Sequence, residues 1–155
     1  MEKLNFLGVG PRIAGFLLPY LAVTIVLNSL FPELFTFGPG AKRVLLIVGI
    51  VWLAVGLISY VITARLLLEG LRNTKLITRG TFALCRNPLY ATLILMIFPG
   101  LALVLNSWLV LTTSVIGYIV FKAFIKSEYD EMQKFFGEAW QEYERKTPEF
   151  FPFLK

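Results

Sequence analysis

The sequence predicts an all-α, polytopic membrane protein: four transmembrane helices, two of them a short hairpin in the C-terminal half, followed by a cytoplasmic amphipathic helix. Three observations predict it. Apolar residues make up 57% of the chain and charged residues only 16%, above and below the usual shares of a globular domain. The apolar residues gather in uncharged runs of about 20 residues or more, the length that crosses a ~30 Å hydrocarbon core as a helix. The charges lie mainly between and after those runs. In 155 residues there is no Gly/Ser-rich linker, low-complexity tract or internal repeat, so a single domain over residues 1–155 is expected.

The first span, 13–32, follows from the absence of charge between Arg12 and Glu33. No small-residue cleavage site follows this apolar run, so it is expected to stay in the protein. The second span, 44–66, is built on the uncharged, Val/Ile/Leu-rich stretch between Arg43 and Arg65. The third apolar stretch, 87–121, would measure about 52 Å as one helix, too long for a single crossing. It must therefore fold back, and Asn106-Ser107 near its midpoint is the expected turn. Two shorter spans result, 88–105 and 107–124, with a kink at Pro99-Gly100. The remaining helix is placed at 125–146, stopped by Pro148.

Arg65, Arg72, Lys75, Arg79 and Arg86 lie between the second and third spans, opposed only by Glu69, whereas the Asn106 turn is uncharged. The positive-inside rule then puts the basic loop, both termini and any site near them on the cytoplasmic side. The net charge of +5 is an orientation signal rather than a nucleic-acid footprint, because the basic residues adjoin apolar spans. Cys85 is the only cysteine and there is no histidine, which excludes an intrachain disulfide and a zinc cluster and leaves no metal partner to expect. Cys85 adjoins Arg86, which would lower its pKa, but with an apolar flank on its other side it reads as inert.

Polar chemistry is concentrated in the basic loop and in the tail from Lys122, which holds seven of the ten acids. In that tail Ile125, Glu128, Met132, Phe136, Ala139 and Tyr143 recur at three- and four-residue steps and share one helix face. Glu128 thus sits on an apolar stripe, where an unpartnered carboxylate is expensive. It needs either a structural pair with a loop arginine or a ligand. In Arg86-Asn87-Pro88-Leu89-Tyr90, Asn87 suits an N-cap and Pro88 the first helical position. A helix N-terminus beside an arginine also suits a ligand carboxylate or phosphate, with Tyr90 one turn in. The aromatic tail of Trp140, Tyr143, Phe150, Phe151 and Phe153 is expected at the membrane interface.

The run from Arg79-Gly80-Thr81-Phe82 through Arg86-Asn87-Pro88-Leu89-Tyr90, then Glu128, Phe136-Gly137, Tyr143, Pro148 and Pro152-Phe153, resembles the isoprenylcysteine carboxyl methyltransferase and phospholipid methyltransferase superfamily. The resemblance covers roughly the C-terminal half. It implies S-adenosylmethionine as cofactor and a lipid-embedded or small hydrophobic acceptor: an isoprenylcysteine carboxylate, a phospholipid amine or a small thiol. By position it implies cofactor-binding roles for Asn87, Pro88, Tyr90 and Glu128, and catalytic roles for Arg86 and Tyr90. Asn87 and Tyr129 stand where many relatives have histidine and glutamate. The residue types match the ligand: an acid for its ammonium, a cation or helix N-terminus for its carboxylate, an aromatic for its sulfonium.

Two other readings compete. A Gly137-x-x-Trp140-x-x-Tyr143 helix after an Arg-x-Pro-x-Tyr hairpin start is similar to membrane sterol and steroid reductases, which use NADPH. A small four-span transporter or scaffold is the non-enzymatic reading, against which stands the lack of any charged residue within 13–31, 44–64 or 89–121.

Overall fold

The computed structural model describes residues 8–38 and 40–151. Among them the chain is helical, without strands: α1 (Gly10–Leu30), α2 (Pro32–Phe35), α3 (Lys42–Asn73), α4 (Pro88–Val104), α5 (Trp108–Phe136) and α6 (Glu138–Lys146), with a 3₁₀ turn at Gly80–Ala83. By length and composition α1, α3 and α5 are long and apolar enough to cross a membrane. α4 is apolar but shorter, about 25 Å at 1.5 Å per residue. Pro152 and Phe153 lie outside the described residues.

The seam between α3 and α4 organises the fold. The buried residues of α3 are Gly49, Gly56, Thr63 and Gly70, one every seven positions and so on one face. A Cβ at Gly49 would come within 2.8 Å of the Val104 backbone nitrogen, one at Gly56 within 3.0 Å of Met96 Cβ, and one at Gly100 of α4 within 2.8 Å of Leu53. Hydrogen at these positions lets two helices that gain nothing from excluding lipid approach close enough for dense packing. Thr63 continues the row: its hydroxyl donates to Ser59 O (2.8 Å) and pairs with the Thr81 hydroxyl (2.9 Å).

The irregularity expected at Pro99-Gly100 takes the form of a π-helical turn, Leu93–Ile97, directly before Pro99. Proline has no N–H to give to the carbonyl four residues back, here Leu95, and apolar surroundings make an orphan carbonyl expensive. The Trp52 indole N–H of α3 donates to Leu95 O at 3.2 Å, so the defect in one helix is repaired by its neighbour.

The chain reverses where expected. Asn106 takes a left-handed conformation (φ 50°) and Ser107 caps α5, its hydroxyl accepting from Val110 N–H at 3.2 Å. Here α2 closes over the turn: Trp108 Nε1 donates to Leu34 O at 3.1 Å. α1 joins α5 through a Tyr20–Thr112 hydroxyl pair at 2.8 Å.

Two helices run past the limits expected for their apolar spans. No break separates a span ending at 124 from a helix starting at 125; α5 runs unbroken to Phe136, since no helix breaker intervenes, and stops at Gly137 (φ 54°). α3 likewise continues to Asn73, two turns beyond the apolar run ending near Arg65. Loss of hydrophobicity ends a span but does not by itself end a helix.

Candidate active site

Beyond the α3/α4 seam the elements separate and enclose a cavity of about 630 Å³. One wall is the end of α3 with Leu67, Gly70, Leu71 and Thr74; the following loop adds Lys75, Leu76, Ile77 and Phe82. Arg86 and Asn87 come from the start of α4, Glu128, Tyr129 and Met132 from α5, and Trp140 and Tyr143 from α6.

Arg86 is tightly held. Its side chain is 12% exposed and ion-pairs with Glu144; its guanidinium carbon lies 4.8 Å from the Tyr129 ring centroid; its backbone N–H donates to Pro148 O at 2.8 Å. The buried Arg86 Nε has no hydrogen-bond partner among the described residues. Asn87 stands at the N-cap position, but its side chain makes no capping bond. Instead Nδ2 donates to Tyr129 Oη and, at 2.9 Å, to Glu149 O, stitching the helix start to α5 and the C-terminal segment.

Glu128 makes no ion pair with a loop arginine; among the described residues the salt bridges are Arg79–Glu69, Arg86–Glu144, Lys122–Glu149 and Lys146–Glu142. Its Oε2 accepts the Val9 N–H at 3.1 Å, and the Tyr90 hydroxyl faces the same carboxylate. Gly8 is pressed against it in a left-handed conformation (φ 51°), where a Cβ would meet Oε2 at 2.6 Å. A segment over a hundred residues upstream thereby fixes the acid's orientation.

Of the sequence-derived candidates, Arg86, Asn87 and Glu128 line the one cavity, whereas Pro88 and Tyr90 do not. Pro88 is buried in the first turn of α4. Tyr90 packs its ring on Phe121, centroids 5.4 Å apart, behind Glu128. Cys85 is 3% exposed, and burial pushes its thiol up, outweighing the backbone hydrogen bond at Asn87 that lowers it; such a thiol is a poor nucleophile.

Three residues of the expected aromatic tail turn inward. Trp140 and Tyr143 are buried walls of the cavity, and Phe150 is a core residue, 2% exposed, with its ring centroid 5.0 Å from that of Phe121. Tyr143 donates to Phe82 O at 2.7 Å. The change of direction at Gly137 accounts for this: it turns Trp140 inward and leaves Ala139, expected on the buried stripe, exposed. Phe153 lies outside the described residues. Sequence reasoning missed the wall from the end of α3, although the seven-residue recurrence of Gly49, Gly56 and Gly70 marks the face that meets the rest of the chain.

The phospholipid methyltransferase family matches residues 42–139, from the start of α3 to the second residue of α6. The chain belongs to that family. It is also similar to the cobalt-zinc-cadmium resistance protein CzcN of Cupriavidus metallidurans, 32% identical over 136 residues that cover 86% of this chain and 62% of that protein. The chain therefore spans under two thirds of that relative's length. No solved structure matches. Membership places these helices in a family of membrane methyltransferases, and the matched region contains Arg86, Asn87 and Glu128. Among the described residues no group of three or more His, Cys, Asp or Glu is placed to hold a metal.

Proposed function

We propose that this chain transfers a methyl group from S-adenosylmethionine to a hydrophobic or lipid-embedded acceptor at the cytoplasmic face of the membrane. The observation that carries this reading is the cavity in which an acid, an arginine and an asparagine from distant parts of the chain meet between aromatic walls. Its volume lies within the about 300–1,000 Å³ typical of small-molecule sites.

The residues fit that cofactor. Glu128 spends one oxygen on Val9 N–H, and a carboxylate has acceptor capacity for a ligand ammonium besides. Arg86 carries a buried donor without a partner, which a ligand carboxylate or the acceptor's developing charge would satisfy. Tyr129, Trp140 and Phe82 offer aromatic faces to a sulfonium and a base. Tyr90 and Pro88 support from behind, Tyr90 by orienting Glu128 and Pro88 by fixing the start of α4.

When bound, S-adenosylmethionine supplies an already activated methyl carbon. The chain's part is then positioning and water exclusion: Glu128 and Asn87 fix one end of the cavity's contents, Arg86 orients the acceptor, and the aromatic walls keep the site dry. An isoprenylcysteine carboxylate, a phospholipid amine and a small thiol all suit such a site. The basic loop between α3 and α4 supports the cytoplasmic orientation.

Calorimetry on the purified chain tests the cofactor: heat with S-adenosylmethionine and none with NADPH is the expected result, and the reverse would restore the reductase reading. Mass spectrometry of lipids and small metabolites, after incubating membranes with methyl-labelled cofactor, identifies the acceptor.

A further inference from the structure

The last turns of α3 have two unlike faces. One walls the cavity. On the other, Arg65, Leu68, Glu69, Arg72 and Asn73 line a separate, shallow depression of about 440 Å³. At 100° per residue these positions point away from Leu67, Gly70, Leu71 and Thr74.

The charges in the depression do not cancel. Glu69 is engaged by Arg79 at 2.6 Å and its backbone carbonyl by Asn73 Nδ2 at 3.0 Å. Arg65 and Arg72 have no ion-pair partner among the described residues. They lie two turns apart on one face, about 10 Å along the axis, so their long side chains converge on the space between. The same face continues toward the middle of the helix as Ile58, Val61 and Ile62, all exposed at 46–62%. An uncovered apolar strip thus leads directly into two uncompensated guanidinium groups. Each half suits one half of the same molecule: acyl chains for the strip, and a phosphate for arginines able to bind it in bidentate fashion.

We propose that this depression binds the phosphate headgroup of an anionic phospholipid whose acyl chains lie along Ile58, Val61 and Ile62. A zwitterionic headgroup suits it less, since its own ammonium would oppose Arg65 and Arg72. The bound lipid braces the outer face of the two turns whose inner face forms the cavity wall. The site is independent of the methyl-transfer reading.

Native mass spectrometry of the full chain in detergent, titrated with phosphatidylglycerol or phosphatidylcholine, tests it. The wild type is expected to retain phosphatidylglycerol at concentrations where phosphatidylcholine is not retained. The Arg65→Gln/Arg72→Gln variant is expected to bind phosphatidylglycerol about thirtyfold more weakly, and Arg65→Gln alone about fivefold more weakly. Should the double variant lose its helical circular dichroism, the single variant decides. Equal retention of both lipids, unchanged binding in the folded variants, or displacement of phosphatidylglycerol by an equal concentration of inorganic phosphate would each overturn the proposal.

Discussion

α3 begins in one kind of environment and ends in another. Over its first three quarters the buried face is glycine and threonine, pressed against α4 until backbones nearly touch. Over its last turns, where Ile77 of the following loop covers Gly70, the helix parts from α4 and walls a cavity. The transition coincides with the start of α4 at Pro88, beyond which no second helix is available to close the gap. Tight seam and open site are thus two consequences of one mismatch in length: a helix of 32 residues lies beside a much shorter one. The seam supplies rigidity where nothing reacts, and the overhang supplies room where polar groups from four elements gather.

Four variants break or sharpen this contrast. Glu128→Ala has the largest expected effect: S-adenosylmethionine binding weakens a hundredfold or more by calorimetry, in keeping with removal of a partner from a buried charged contact, while the protein stays folded, at a cost of about 1 kcal/mol for the stranded Val9 N–H. Wild-type affinity in that variant would remove Glu128 from the ligand site. Arg86→Ala is expected to lower turnover ten- to a hundredfold in a methyl-transfer assay with a much smaller loss of cofactor affinity; equal losses would reassign it to cofactor binding. Gly49→Leu probes the seam instead, since even a Cβ there would come within 2.8 Å of Val104 N. A loss of about 1–3 kcal/mol in detergent unfolding is expected, with cofactor affinity of the folded fraction retained. The smallest effect belongs to Trp52→Phe, which strands Leu95 O and should cost about 1 kcal/mol; no change would mean that water or another donor already serves that carbonyl.

The apolar runs were legible because lipid imposes a length and a composition on any helix that crosses it, and the reversal at Asn106-Ser107 followed from length alone. Arg86, Asn87 and Glu128 were legible for a related reason: polar residues at the start of one helix and on the apolar stripe of another have to find partners. Their local hydrogen bonding was not. Asn87 read as a cap because asparagine caps many helices, yet its amide bonds across the fold to Tyr129 and Glu149. Glu128 was expected to find an arginine or a ligand, and the first partner it finds is a backbone N–H at Val9, which carries no side-chain signature. Ala139 was misplaced because a helical wheel drawn through Gly137 ignores the change of axis that a positive φ introduces there.

The chain has three tryptophans, and each marks a different joint. Trp52 fastens the seam, Trp108 fastens the outer reversal, and Trp140 faces the cavity. Single-tryptophan variants would therefore give three separate fluorescence channels. Their emission during denaturation would report in what sequence these joints open, and the Trp140 channel would register ligand entry without a label.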